Sequence, residues 1–93
     1  MKNEERAIEL YRLALSVVEQ KGRFIAIGLV TYREYRGERL SITHLPSTGH
    51  IDVWSRRKVL AVNRQQGMLR VMFYAPGEWE VELEELATKP LKN

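Results

Sequence analysis

His44, His50 and Asp52 fall within the stretch "HLPSTGHID", and they are the residue types that bind a transition metal or shuttle a proton. Their spacing matches no established ligand pattern, and a hairpin carrying two exposed histidines explains the stretch more simply. Ser47 and Thr48 in the same stretch raise a nucleophile–base pair, but no GxSxG elbow or comparable signature accompanies them. Serine, threonine and glycine in a turn need no further reason. The carboxylates Glu78, Glu80, Glu82, Glu84 and Glu85 suit a helix start, where negative charge is favourable. The six glycines are spaced singly and form no phosphate-binding loop. The expectation is a protein that is not an enzyme, with no catalytic residues, no metal and no cofactor.

Cations interleaved with aromatics offer a different chemistry, because single-stranded nucleic acid is held by cationic grooves whose aromatic rings stack on bases. Tyr32, Arg33, Tyr35, Arg36 and Arg39 form one such cluster, Trp54, Arg56, Arg57 and Lys58 a second, and Arg70 with Tyr74 a third. These clusters lie where the charge is. Residues 23–75 carry nine cations against three anions, whereas residues 1–22 are balanced and residues 76–93 are net acidic. Against nucleic acid, no helix-turn-helix or zinc-finger pattern is present, and "KGRFIAIG" echoes the RNA-recognition pattern only faintly, lacking its second and third aromatics. A solvated, arginine-rich sheet surface accounts for the same charges. On that reading "SRRK" is a charged turn, and Trp54, flanked by Val53 and by Val59 and Leu60, packs inward.

Those residues must be positioned by the elements around them. Asn3 is suited to cap a helix whose apolar stripe runs through Ala7, Ile8, Tyr11, Leu15 and Val18, with Leu10, Ala14 and Val17 widening it, and which ends at Gly22. "RFIAIGLVTYREY" reads as one strand, turned by "RGER" into "LSITHL". With Tyr35 opposite Leu40, Ile25, Ile27, Leu29, Leu40 and Ile42 share one face. Phe24, Ala26, Gly28, Val30, Tyr32 and Leu45 share the other. Both faces are apolar near the start, so both need cover, and the small Ala26 and Gly28 admit a helix or a second copy of the chain, unless Gly28 marks a bulge. "HIDVW" is a short strand, and a turn near Ser55–Arg57 separates it from "KVLAVNRQQGMLRVMFY". In that hairpin an even loop at "RQQG" puts Leu60, Val62, Leu69, Val71 and Phe73 on the core face. Beyond it Trp79, Val81 and Leu83 alternate as in a strand, while Trp79, Leu83, Leu86 and Ala87 follow helical spacing; the glutamates and Leu86 favour helix, and a short helix from about Glu78 to Thr88 is expected.

Ninety-three residues are enough for one domain and too few for two. The absence of cysteine suits a reducing compartment, and "MKNEERAIEL" is charged from its start, unlike a signal peptide. The longest apolar run, "FIAIGLV", is far short of the ~20 residues that span a bilayer. The expected architecture is α+β: an N-terminal helix on an antiparallel meander of about five strands, closed by a short C-terminal helix. The expected function is a cytoplasmic, non-enzymatic interaction module that self-associates through a sheet face, with a dimer as the simplest assembly. Nucleic-acid binding by the cationic, aromatic residues is the alternative.

Overall fold

The apolar stripe near the N-terminus forms helix α1, Lys2–Lys21, and buries Ala7, Leu10, Tyr11, Ala14, Val17 and Val18. Glu4 and Glu5 lie in its first turn and Lys21 in its last, each favourable to the helix dipole. The computed structural model describes residues 2–89, and α1 already includes Asn3 rather than starting after it. Gly22 ends the helix. A Cβ there would strike the Val18 carbonyl oxygen and come within 2.9 Å of the Glu34 carbonyl oxygen.

Six strands follow: β1 (Arg23–Ile27), β2 (Val30–Arg36), β3 (Ser41–Leu45), β4 (His50–Ser55), β5 (Arg57–Gln65) and β6 (Met68–Tyr74). They form one antiparallel meander in sequence order, and α2 (Trp79–Thr88) completes the α+β fold. The sheet has six strands where about five were expected, because "RFIAIGLVTYREY" folds back on itself. Gly28 adopts φ +61° at the first central position of a two-residue loop between the paired Ile27 and Val30. That is the glycine site of a type II′ hairpin turn.

The extra hairpin re-sorts the faces. Phe24 pairs with Arg33, Arg33 with His44, and Tyr35 with Ile42 rather than Leu40. Phe24, Ala26, Arg33 and Tyr35 therefore belong to the helix side of the sheet. Ile25 pairs with Tyr32 and Ile27 with Val30 on the opposite, outer side, which reverses the expected grouping of Ile25 and Ile27 with Ile42.

Ile42, Ile51, Val53, Leu60 and Val62 point to the helix side and are fully buried against α1. Two irregularities steer β5. Between β4 and β5 the register shifts at Val53/Trp54, and Arg56 makes the turn with φ +66°. Between β5 and β6, Gln66 and Gly67 both take positive φ, as a type I′ turn requires, and give the even register. Then Val62 pairs with Val71 but Ala61 with Phe73, leaving Met72 as an extra residue. The bulge turns Phe73 to the outer side, where it is 45% exposed, and Tyr74 to the helix side opposite Leu60. The expected core place of Phe73 is thus taken by Tyr74.

Helix α2 lies beside α1 and joins the same core through the buried Trp79 and Leu83. The Trp79 indole donates to the Ala75 carbonyl at 2.7 Å and meets the Tyr74 ring edge-on, 6.3 Å between centroids. No helix among the described residues is long and apolar enough to cross a membrane.

Candidate interaction surface

Both helices cover the same side of the sheet, so strand alternation decides what the other side presents. Pairing sets the outer side chains in rows. One row runs Arg23, Glu34, Thr43, Asp52, Ala61, Phe73, and another Arg36, Ser41, Trp54, Lys58. Ile25 and Tyr32, then Leu45 and His50, then Asn63 and Arg70 fill the row between the first and the hairpin ends. The acids of this face are internally matched. Glu34 lies 3.2 Å from Arg36 and 3.8 Å from Arg23, and Asp52 lies 2.9 Å from the His50 Nε2 and 3.6 Å from the Lys58 ammonium. Arg70 has no ion-pair partner among the described residues.

Trp54 is 42% exposed, contrary to the expectation that it packs inward. It sits on the outer side of β4, and the Lys58 ammonium lies 5.2 Å from its ring centroid, within cation–π range. The buried tryptophan is Trp79. Flanking aliphatics did not bury Trp54 because those neighbours alternate to the helix side: Val53 and Leu60 pair there.

The three cationic clusters do not converge. Tyr32, Arg36, Trp54, Lys58 and Arg70 share the outer side, while Arg33 and Tyr35 point to the helix side. Tyr74 is committed elsewhere: its hydroxyl donates to Glu80 at 2.9 Å. Arg39, Arg56 and Arg57 line a cleft of about 920 Å³ at the start of α2, shared with Glu38, Glu78 and Glu82. Arg39 is 3.9 Å from Glu82. Carboxylates among the cations make that cleft a poor phosphate pocket.

The two histidines part company as well. His50 is on the outer side with Asp52, whereas His44 faces α1 and is 9% exposed, not the exposed residue expected. Strand alternation puts them on opposite faces, so they cannot share a metal ion. The His44 Nδ1 is buried without a hydrogen-bond partner among the described residues. Burial depresses the His44 pKa, Arg33 adds to the effect and Glu19 opposes it. Thr48 serves the turn, its hydroxyl accepting from the His50 backbone N–H at 3.3 Å.

The acidic run places one member in a structural network. Glu80 accepts from the Arg6 guanidinium at 2.9 Å, from Tyr74 and from the Gly77 N–H. Arg6 also pairs with Glu9 and, at 3.4 Å, with Glu84. Burial alone would raise the Glu80 pKa, but these donors and the Arg6 charge outweigh it and hold the carboxyl below its ordinary value.

The residues that sequence reasoning did not mark as a site are the uncovered apolar ones. Ile27, Val30, Met68 and Phe73 are exposed on or beside the outer face, and Phe24 and Leu29 are exposed at the β1–β2 hairpin. For Phe24, Ile27, Leu29 and Val30 the signal was present in "FIAIGLV", which is apolar at both alternations and so cannot hide both faces under one helix; Met68 and Phe73 carry no such signal. No protein-family model, curated protein or solved structure matches this chain.

Proposed function

We propose that the protein is a non-enzymatic, cytoplasmic interaction module whose working surface is the outer face of the sheet, and that a second copy of the chain stacks on it. The carrying observation is that Trp54, Phe73, Met68, Ile27 and Val30 are all exposed on one sheet, on the side away from both helices. Six strands ~4.8 Å apart and about six residues long offer roughly 500 Å² per copy, or about 1,000 Å² over both, the low end for a specific interface. Charge does not select the partner: Glu34 and Asp52 offset two of the four cations Arg23, Arg36, Lys58 and Arg70, and the exposed apolar side chains carry the case for a second copy. The lack of cysteine supports the cytoplasmic setting.

Light scattering on the wild type and on Phe73→Asp at ~100 μM tests the reading. The expected result is a wild-type assembly that loses half its mass in the variant, with circular dichroism unchanged. A wild type of monomeric mass, or a variant that keeps the wild-type mass, would reject it.

A second reading has one specific observation in its favour: Trp54 is exposed beneath Lys58, an arrangement that also suits base stacking. It requires quenching of Trp54 fluorescence by single-stranded RNA or DNA, reversed steeply by salt. The aliphatic residues around the face are more than stacking needs, which is why the protein partner leads.

A further inference from the structure

The sheet ends at β1 on one side and at β6 on the other, and the two edges differ. Strand β6 carries the Met72 bulge and Arg70, both devices that blunt an edge against pairing. Strand β1, "RFIAI", is regular and pairs with β2 without a shift. Its one charge is at the first residue, and Phe24 and Ile27 are 59% and 65% exposed. From this contrast we infer that β1 is a homotypic pairing edge, joining two copies antiparallel about a twofold axis at Ile25.

The register follows from backbone alternation. The two-residue loop makes Ile27 and Val30 a hydrogen-bonded pair, so Ile25 and Arg23 also bond to β2. The N–H and C=O of Phe24 and Ala26 then point away from β2, toward the open edge. Antiparallel pairing about Ile25 sets Phe24 against the partner's Ala26, and Ala26 against the partner's Phe24. Both members of each pair have their free groups directed at the other. A shift by one residue would oppose free groups to groups already bonded. The side chains agree with the backbone: a phenyl ring falls opposite a methyl group on the helix side of each copy, large against small. Twofold pairing closes on itself, whereas β1 against the blunted β6 would generate an open filament.

This pairing is independent of the stacked face and goes beyond it. Two copies joined along β1 make a continuous sheet, and stacking two such sheets gives four copies. Ala26→Pro removes an N–H that faces the open edge and leaves the bonds to β2 intact, as edge prolines do. Ala26→Asp provides a second route, placing a carboxylate against the partner's phenyl ring. Sedimentation at ~100 μM is expected to show half the wild-type mass for either variant, with unchanged circular dichroism. Combining Ala26→Pro with Phe73→Asp is expected to leave monomers. If both Ala26 variants keep the wild-type mass, or Phe73→Asp alone is already monomeric, edge pairing is overturned. If Ala26→Pro alone is monomeric, the stacked face is overturned instead.

Discussion

His44 shows how one side chain can set the acid response of a small fold. It lies on the core side of β3, opposite Ile51, with its Nδ1 unpartnered and its pKa lowered by burial. The unfolded chain therefore takes up a proton near pH 6.5 that the folded chain refuses. Below that pH the unfolded state binds more protons, so this contribution to stability is full above pH 6.5 and declines as pH falls toward the folded value. The urea midpoint is expected to drop between about pH 7.5 and about pH 5.5, and His44→Leu should remove most of that drop. An equal drop in His44→Leu would assign the effect to other groups. Glu80 acts in a lower window. Its depressed pKa stabilises the fold above about pH 4.5, and that contribution is lost on further acidification. Arg56 is a different single-residue case, since φ +66° is costly for any residue with a Cβ. Arg56→Ala keeps that cost and should stay within about 0.5 kcal/mol of wild type. Arg56→Gly relieves it and should stabilise by about 0.5–1 kcal/mol in a denaturant titration, after the extra entropy of an unfolded glycine is counted.

Among the elements, α2 depends on burial and β4 does not depend on its tryptophan. Trp79 is 5% exposed and hydrogen-bonded, so Trp79→Ala should cost about 3–5 kcal/mol, measured by thermal or chemical unfolding. Trp54→Ala removes a half-exposed ring and should cost about 1 kcal/mol or less, most of it lost packing on the Lys58 stem. Equal losses for the two would contradict the assignment of inside and outside. Helix α2 is also tied to α1 by Arg6 and Glu80. Glu80→Ala removes the acceptor of the Tyr74 hydroxyl and of the Gly77 N–H and one of the three carboxylates around Arg6, and about 1–2 kcal/mol of destabilisation is expected in chemical unfolding.

At the scale of the whole molecule, the sheet is layered on one side only. That free side leaves Ile27, Val30, Trp54, Met68 and Phe73 exposed among polar rows, and self-association is the reading proposed for it. Assembly by stacking and edge pairing should persist when salt is raised from about 0.1 M to about 1 M, because apolar burial is not screened. A phosphate-driven complex would lose affinity over the same range, with log K falling linearly in log salt. Light scattering across a salt series therefore separates self-association from nucleic-acid binding without a mutation.

Most of the architecture was readable from local signals. The 3.6-residue stripe fixed α1 and the turn residues fixed the β5–β6 hairpin, and each of those signals is contained in neighbouring residues. For α2 the spacing of Trp79, Val81, Leu83 and Leu86 fits strand and helix alike, and the packing of Trp79 and Leu83 into the core decides for helix. The β1–β2 hairpin was half legible: Gly28 marked a special position, but a bulge and a II′ turn both use a glycine there. What the sequence could not decide was which side of each strand meets the helices. Phe73 and Tyr74 exchange sides through one extra residue at Met72, and Trp54 falls outside although Val53 beside it is buried in the core. A strand's side-chain period is two, so one bulge or one added hairpin inverts every face beyond it. Only the tertiary pairing of all six strands under α1 and α2 resolves that choice, and with it which residues form the core and which form the surface.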